Sequence, residues 1–106
     1  MTKVKNEPQV APHLRLEIKG QDNVNDIAAV RNGEQVLWVN AYSKNCTLRF
    51  TQSPFADGSL KHYVHTGEYF LSPAIQGPIG TSYRYKVDCN EEERPHEGDP
   101  VIVIQG

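Results

Sequence analysis

No run of apolar residues in this chain approaches the ~20 needed to cross a bilayer as a helix, so no such span is expected. Charge of one sign is also lacking. Eleven Lys and Arg stand against 13 Asp and Glu, a formal net charge of −2 with neutral histidines. Binding nucleic acid without regard to sequence needs a basic face that releases counterions, so nucleic acid is not an expected partner. A polybasic membrane-surface module is excluded on the same ground. The sequence holds no GxSxG elbow, no HExxH, no P-loop and no GxGxxG. An enzyme would need a dispersed site drawn from His13, His62, His65 and His96, and nothing in their spacing favours one. Cysteine is scarce. Cys46 and Cys89 fit neither a CxxC spacing nor a zinc-knuckle pattern. They would be two thiols in a reducing compartment and one bridge in an oxidising one. Methionine occurs once, as Met1. The first eight residues carry lysines with no apolar stretch after them, so no signal peptide is expected and a cytoplasmic location is the plain expectation.

What is present is an ordinary globular composition, 38% hydrophobic and 23% charged over 106 residues. That length suits one domain, which buries roughly 60–70% of the surface its unfolded chain exposes. The expected organisation is a polar arm over residues 1–12, with Pro8 and Pro12, followed by a single domain over 13–106. No stretch longer than about ten residues shows an i, i+3, i+4, i+7 apolar stripe, so helices are not expected. Strand signals recur instead. Leu14, Leu16 and Ile18 alternate with Arg15, Glu17 and Lys19. Ile27 to Val30 reads either as a short strand or as one helical turn. Asn32-Gly33, the strongest short turn signal, leads into Gln35–Asn40, whose continuous apolar run suits a central strand covered on both faces. Cys46, Leu48 and Phe50 share a face, as do Tyr83, Tyr85 and Val87. Short stretches at 61–64 and 68–71 are further candidates, and Pro100 opens a last strand through Ile104. Short strands separated by turns about every 8–12 residues argue for an all-β sandwich or barrel.

Two stretches resemble the cupredoxin family. Val30 to Asn40 is similar to the segment in which a turn glycine precedes a strand ending in an aromatic, a valine and an asparagine. Cys46 to Phe50 follows where that family has its first copper histidine and an alternating strand. Gly80 to Tyr85 and Val101 to Ile104 resemble its last two strands. The likeness spans about half the chain. It implies an antiparallel Greek-key β-sandwich, with an immunoglobulin-like sandwich as the alternative. It also implies a place for copper, which that family holds with two histidines, a thiolate and a weak axial methionine. The departures are plain. Cys46 stands at the first histidine position, and Cys89 and His96 are separated by six residues that include three glutamates. No cofactor is therefore expected, and a standard copper site is disfavoured.

Candidate sites follow. Cys46 and Cys89 form a redox pair, or a soft-metal site with His96, if the fold brings them to one end. The plainer reading is a small core residue and a loop thiol. His96 with Glu91, Glu92, Glu93 and Glu97 has metal-ligand chemistry, but a charge run containing Arg94 is more often a solvated turn. His62 and His65 lie three apart, which within one strand means opposite faces, and both are expected at the surface. Trp38, Phe50, Tyr83 and Tyr85 are expected to be core rather than a stacking platform. The leading expectation is a non-catalytic binding or interaction module acting through the loop-bearing end. A protein partner or self-association is its expected contact. The alternative is a non-standard copper or thiol redox protein.

Overall fold

The computed structural model describes residues 13–19, 27–89 and 100–106. The arm expected over residues 1–12 lies outside the described residues, and so does His96 with its glutamate neighbours. Eight strands follow in order: β1 (His13–Ile18), β2 (Ile27–Val30), β3 (Gln35–Asn40), β4 (Cys46–Phe50), β5 (Lys61–Val64), β6 (Tyr69–Leu71), β7 (Ser82–Asp88) and β8 (Val101–Ile104). Among the described residues there is no helix, and hence none long and apolar enough to cross a membrane. The ambiguous segment at Ile27–Val30 is a strand, with Ala28 and Val30 turned inward.

The strands form two sheets, ordered β1-β3-β6 and β2-β8-β7-β4-β5. Within each sheet, odd-numbered strands run one way and even-numbered strands the other. Pairs of unlike parity are antiparallel: β3–β6, β4–β5, β4–β7 and β7–β8. Pairs of like parity, β1–β3 and β2–β8, are parallel. This corrects the expectation of a wholly antiparallel fold, because both sheets are mixed. The cause is that β2 joins the opposite sheet and leaves β1 and β3 as neighbours. The turn at Asn32-Gly33 is therefore not a hairpin but a step from one sheet to the other. Glu34 N–H closes it on the Arg31 carbonyl at 3.1 Å, with Gly33 at φ 89°, a conformation glycine adopts without strain.

The two sheets share one core, an arrangement compatible with a β-sandwich. Leu16, Ile18, Val36 and Trp38 enter it from the smaller sheet. Val30, Leu48, Phe50, Val64, Tyr83, Tyr85, Val87, Ile102 and Ile104 enter from the larger. Trp38 is its hub. Its ring stacks on Phe70 and meets Phe50, Phe55 and Tyr85 edge-on, with centroids 5.7–6.3 Å apart. Burial pushes the Tyr85 hydroxyl up to about 12, against a smaller lowering from Trp38. The four aromatics expected in the core are all buried. The apolar run of β3 is covered on both faces, with Val36 through Val39 fully buried.

The end carrying the β2–β3 turn is held by polar clamps. The Asn32 side chain donates to the Gly106 carbonyl at 2.9 Å and accepts from Gly77 N–H at 2.8 Å. Asn32 N–H reaches the same Gly106 carbonyl, and Gly33 N–H reaches Ile75. Nearby, buried Ser72 accepts from Val36 N–H through its hydroxyl, which itself donates to the Pro73 carbonyl. These bonds tie the 72–80 connection across the mouth of the core.

Candidate functional site

The opposite end holds the cysteines. Cys46 is the first residue of β4, and Cys89 directly follows the last residue of β7. The antiparallel register pairs Thr47 with Asp88 and Leu48 with Val87. One step further along that register sets Cys46 opposite Cys89. Cys46 faces the core with Leu48 and Phe50, and Cys89 continues the inward row of Tyr85 and Val87. The two sulfurs are joined in a disulfide, with Cα atoms 4.0 Å apart. Neither cysteine exposes more than 2% of its surface. The core-residue-and-loop-thiol reading therefore gives way. The fold brings both cysteines to one place and leaves no free cysteine.

The surroundings of the bridge are polar but internally satisfied. Asn40 ends β3 and is fully buried. Its amide donates to the carbonyls of Lys44 (2.9 Å) and Val64 (2.8 Å), and its side-chain oxygen accepts from Tyr42 N–H (2.9 Å). One side chain thus fixes the 41–45 loop that delivers Cys46 and ties it to the end of β5. The neighbouring turn is tied in the same way. Thr66 donates its hydroxyl to the Tyr42 carbonyl and its N–H to Asn45 Oδ1. Ala41 N–H bonds Ile18, Gly67 N–H bonds Asn40, and Asn40 N–H bonds Glu68.

Chemically, this end holds two sulfurs that are already bonded to each other. Thiolate is the species that attacks or that ligates a soft metal, and a disulfide supplies none. Among the described residues no three His, Cys, Asp or Glu groups lie together as a metal site would require.

The histidines divide. His65 lies in the turn after β5 and is exposed. His62 corrects the surface expectation, because its ring is half-buried between the sheets. It stacks on Phe70 with centroids 4.1 Å apart and meets Phe55 edge-on at 5.2 Å. Its Nε2 lies 2.8 Å from Ser59 Oγ, which lies 2.6 Å from Asp57 Oδ1. The serine has one proton and gives it to the carboxylate, so the Nε2–H donates to the serine. The aspartate faces the serine rather than the imidazole, so this chain does not prime the hydroxyl as a nucleophile. Burial lowers the His62 pKa, partly offset by Asp57.

Sequence reasoning overlooked Asn40, Ser59 and Tyr63. Asn40 was legible only as a strand end, and Tyr63 only as part of a short candidate strand. Comparison with protein-family models, curated proteins and solved structures finds no match for this chain.

Proposed function

We propose that this chain is a cupredoxin-like sandwich in which a disulfide occupies the place of the copper centre, and that it serves as a non-catalytic binding module. The observation carrying the reading is the buried Cys46–Cys89 bridge. In the family that the sequence resembles, the position of Cys46 supplies a histidine ligand, and the thiolate comes from the end of the penultimate strand, where Cys89 stands. Joining those two positions covalently removes the soft thiolate and fills its space with the bridge. What the metal would cross-link through coordination, the disulfide cross-links directly. A bridge in a domain this small also points to an oxidising compartment, in place of the cytoplasmic location expected from the sequence.

Copper titration separates this reading from its rival. The oxidised protein is expected to take up no stoichiometric copper and to develop no thiolate charge-transfer absorption. Tight one-to-one copper with such a band, in the oxidised protein or after mild reduction, would replace the binding module with a non-standard redox protein. Loss of that band in His96→Ala would then identify the histidine expected beside Cys46 and Cys89.

A further inference from the structure

The outer face of the larger sheet carries an arrangement that costs stability. Lys61 on β5 stands directly opposite Arg49 on β4, and Arg49 stands directly opposite Lys86 on β7. Three cations thus form one row across three adjacent strands. Arg84 lies two residues before Lys86, on the same face of the same strand. These are four of the chain's eleven Lys and Arg, although the chain as a whole is net negative. Like charges directly opposite on a sheet repel, so folding alone gives no reason to align them. Among the described residues the carboxylate on this face is Asp88, whose Oδ2 lies 3.5 Å from Arg49 Nε in an exposed pair. In the row beyond, Tyr63 stands opposite Thr47 with 65% of its surface exposed. Lys61 Nζ lies 5.0 Å from its ring centre. A hydrogen bond with Lys61, helped by the charge of Lys61 and more weakly of Arg49, holds the Tyr63 hydroxyl below its usual pKa.

We propose that this face binds an acidic polysaccharide, a sulfated or uronate-bearing glycan laid across the strands along the row Lys61–Arg49–Lys86, with Tyr63 against a sugar ring. The inference rests on the binding-module reading and names its ligand class. Strand spacing sets the backbones that carry neighbouring cations ~4.8 Å apart, on the order of one sugar unit, so successive acidic sugars face successive cationic residues. The face is a sheet surface rather than a groove, which suits an extended polymer. The tyrosine gives a flat ring for the apolar face of a sugar. Single-stranded nucleic acid also combines charge with stacking. The disulfide favours the glycan, because bridges persist where acidic glycans are displayed and not in the reducing compartments that hold most nucleic acid.

The test is a calorimetric titration of the oxidised full chain with a heparin decasaccharide, an alginate oligomer and oligo-dT, at several salt concentrations. Binding to at least one of the two glycans is expected, weakening as salt rises. The triple variant Lys61→Gln/Arg49→Gln/Lys86→Gln is expected to lose about tenfold or more in affinity and about three in the slope of log K against log salt. Its melting temperature should match or exceed that of the unmodified protein, which separates lost binding from lost folding. Tyr63→Ala should weaken binding severalfold, while Arg31→Gln, just after β2 at the far edge of the sheet, leaves it unchanged. Absence of glycan binding at low salt, or a triple variant that binds equally well, overturns the proposal. Oligo-dT bound as tightly as the better glycan overturns it in favour of nucleic acid. None of these outcomes bears on the copper titration, so a failed glycan site and a failed module reading remain distinguishable.

Discussion

Both ends of the two-sheet core are closed by an asparagine, and the two closures differ in depth. At the bridged end, Asn40 is fully buried and spends its amide on three backbone partners. At the other end, Asn32 is exposed and joins Gly77 to Gly106 through two bonds. The chemistry is the same, but water can replace Asn32, whereas the Asn40 side chain is itself buried and its bond to the Val64 carbonyl is closed to water. The deep closure also sits beside the covalent bond. Among the described residues, an end so hydrogen-bonded and cross-linked is a poor place for an exchanging ligand. This contrast moves attention from the loop-bearing end to the outer face of β4, β5 and β7.

Breaking the bridge tests that asymmetry hardest. Cys46→Ala/Cys89→Ala opens a loop defined by 43 residues of sequence separation. Loss of such a cross-link is expected to cost about 3 kcal/mol. For a domain of this size that is on the order of 15 °C in melting temperature, read by calorimetry on the oxidised protein and the variant. A drop of only a few degrees would mean that the hydrogen bonds of Asn40 hold this end without the bridge.

The paired asparagines give the next contrast. Asn40→Ala strands the buried Val64 carbonyl and removes the part-buried bonds to Lys44 and Tyr42, at an expected cost of about 2 kcal/mol. Asn32→Ala leaves its partners solvated and should cost about 1 kcal/mol or less. Urea denaturation of both variants, with unchanged m-values, reads the difference directly. Equal losses would show that burial is not what separates the two ends.

These particulars also mark where the sequence was readable. Alternation assigned a face to each residue of β1, β4 and β7, so Tyr83, Tyr85 and Val87 pointed inward, as did Leu48 and Phe50. The unbroken run in β3 identified a strand covered on both sides. Periodicity assigns faces, however, and not neighbours. That β1 lies parallel to β3, or that Lys61, Arg49 and Lys86 share one row, depends on which strands pair and in what register. The bridge was hidden for the same reason. Cys46 carried an inward signal from its own strand, while Cys89 followed a strand end and became its partner only through the β4–β7 register. Asn40 looked like any polar residue closing a strand, because its worth lies in three backbone groups brought to it from other segments.

His62 supplies the smallest effect, on the side of the molecule between the two closures. Its ring lies between Phe55 and Phe70, and burial holds its folded pKa below the ordinary 6.5. The folded state therefore binds fewer protons than the unfolded chain across the window from that lowered value up to 6.5. Stability rises with pH through this window and is lost as pH falls through it. Asp57 opposes the shift weakly. Its own pKa is lowered by the hydrogen bonds from Ser59, so its stabilising contribution is present above its ordinary 3.8 and lost only below that. The two groups thus act in separate ranges. Denaturant midpoints between pH 7 and 5 should fall gently for the unmodified protein and less for His62→Gln. An identical slope in His62→Gln would place the titrating group elsewhere and leave the imidazole as a packing ring between the sheets.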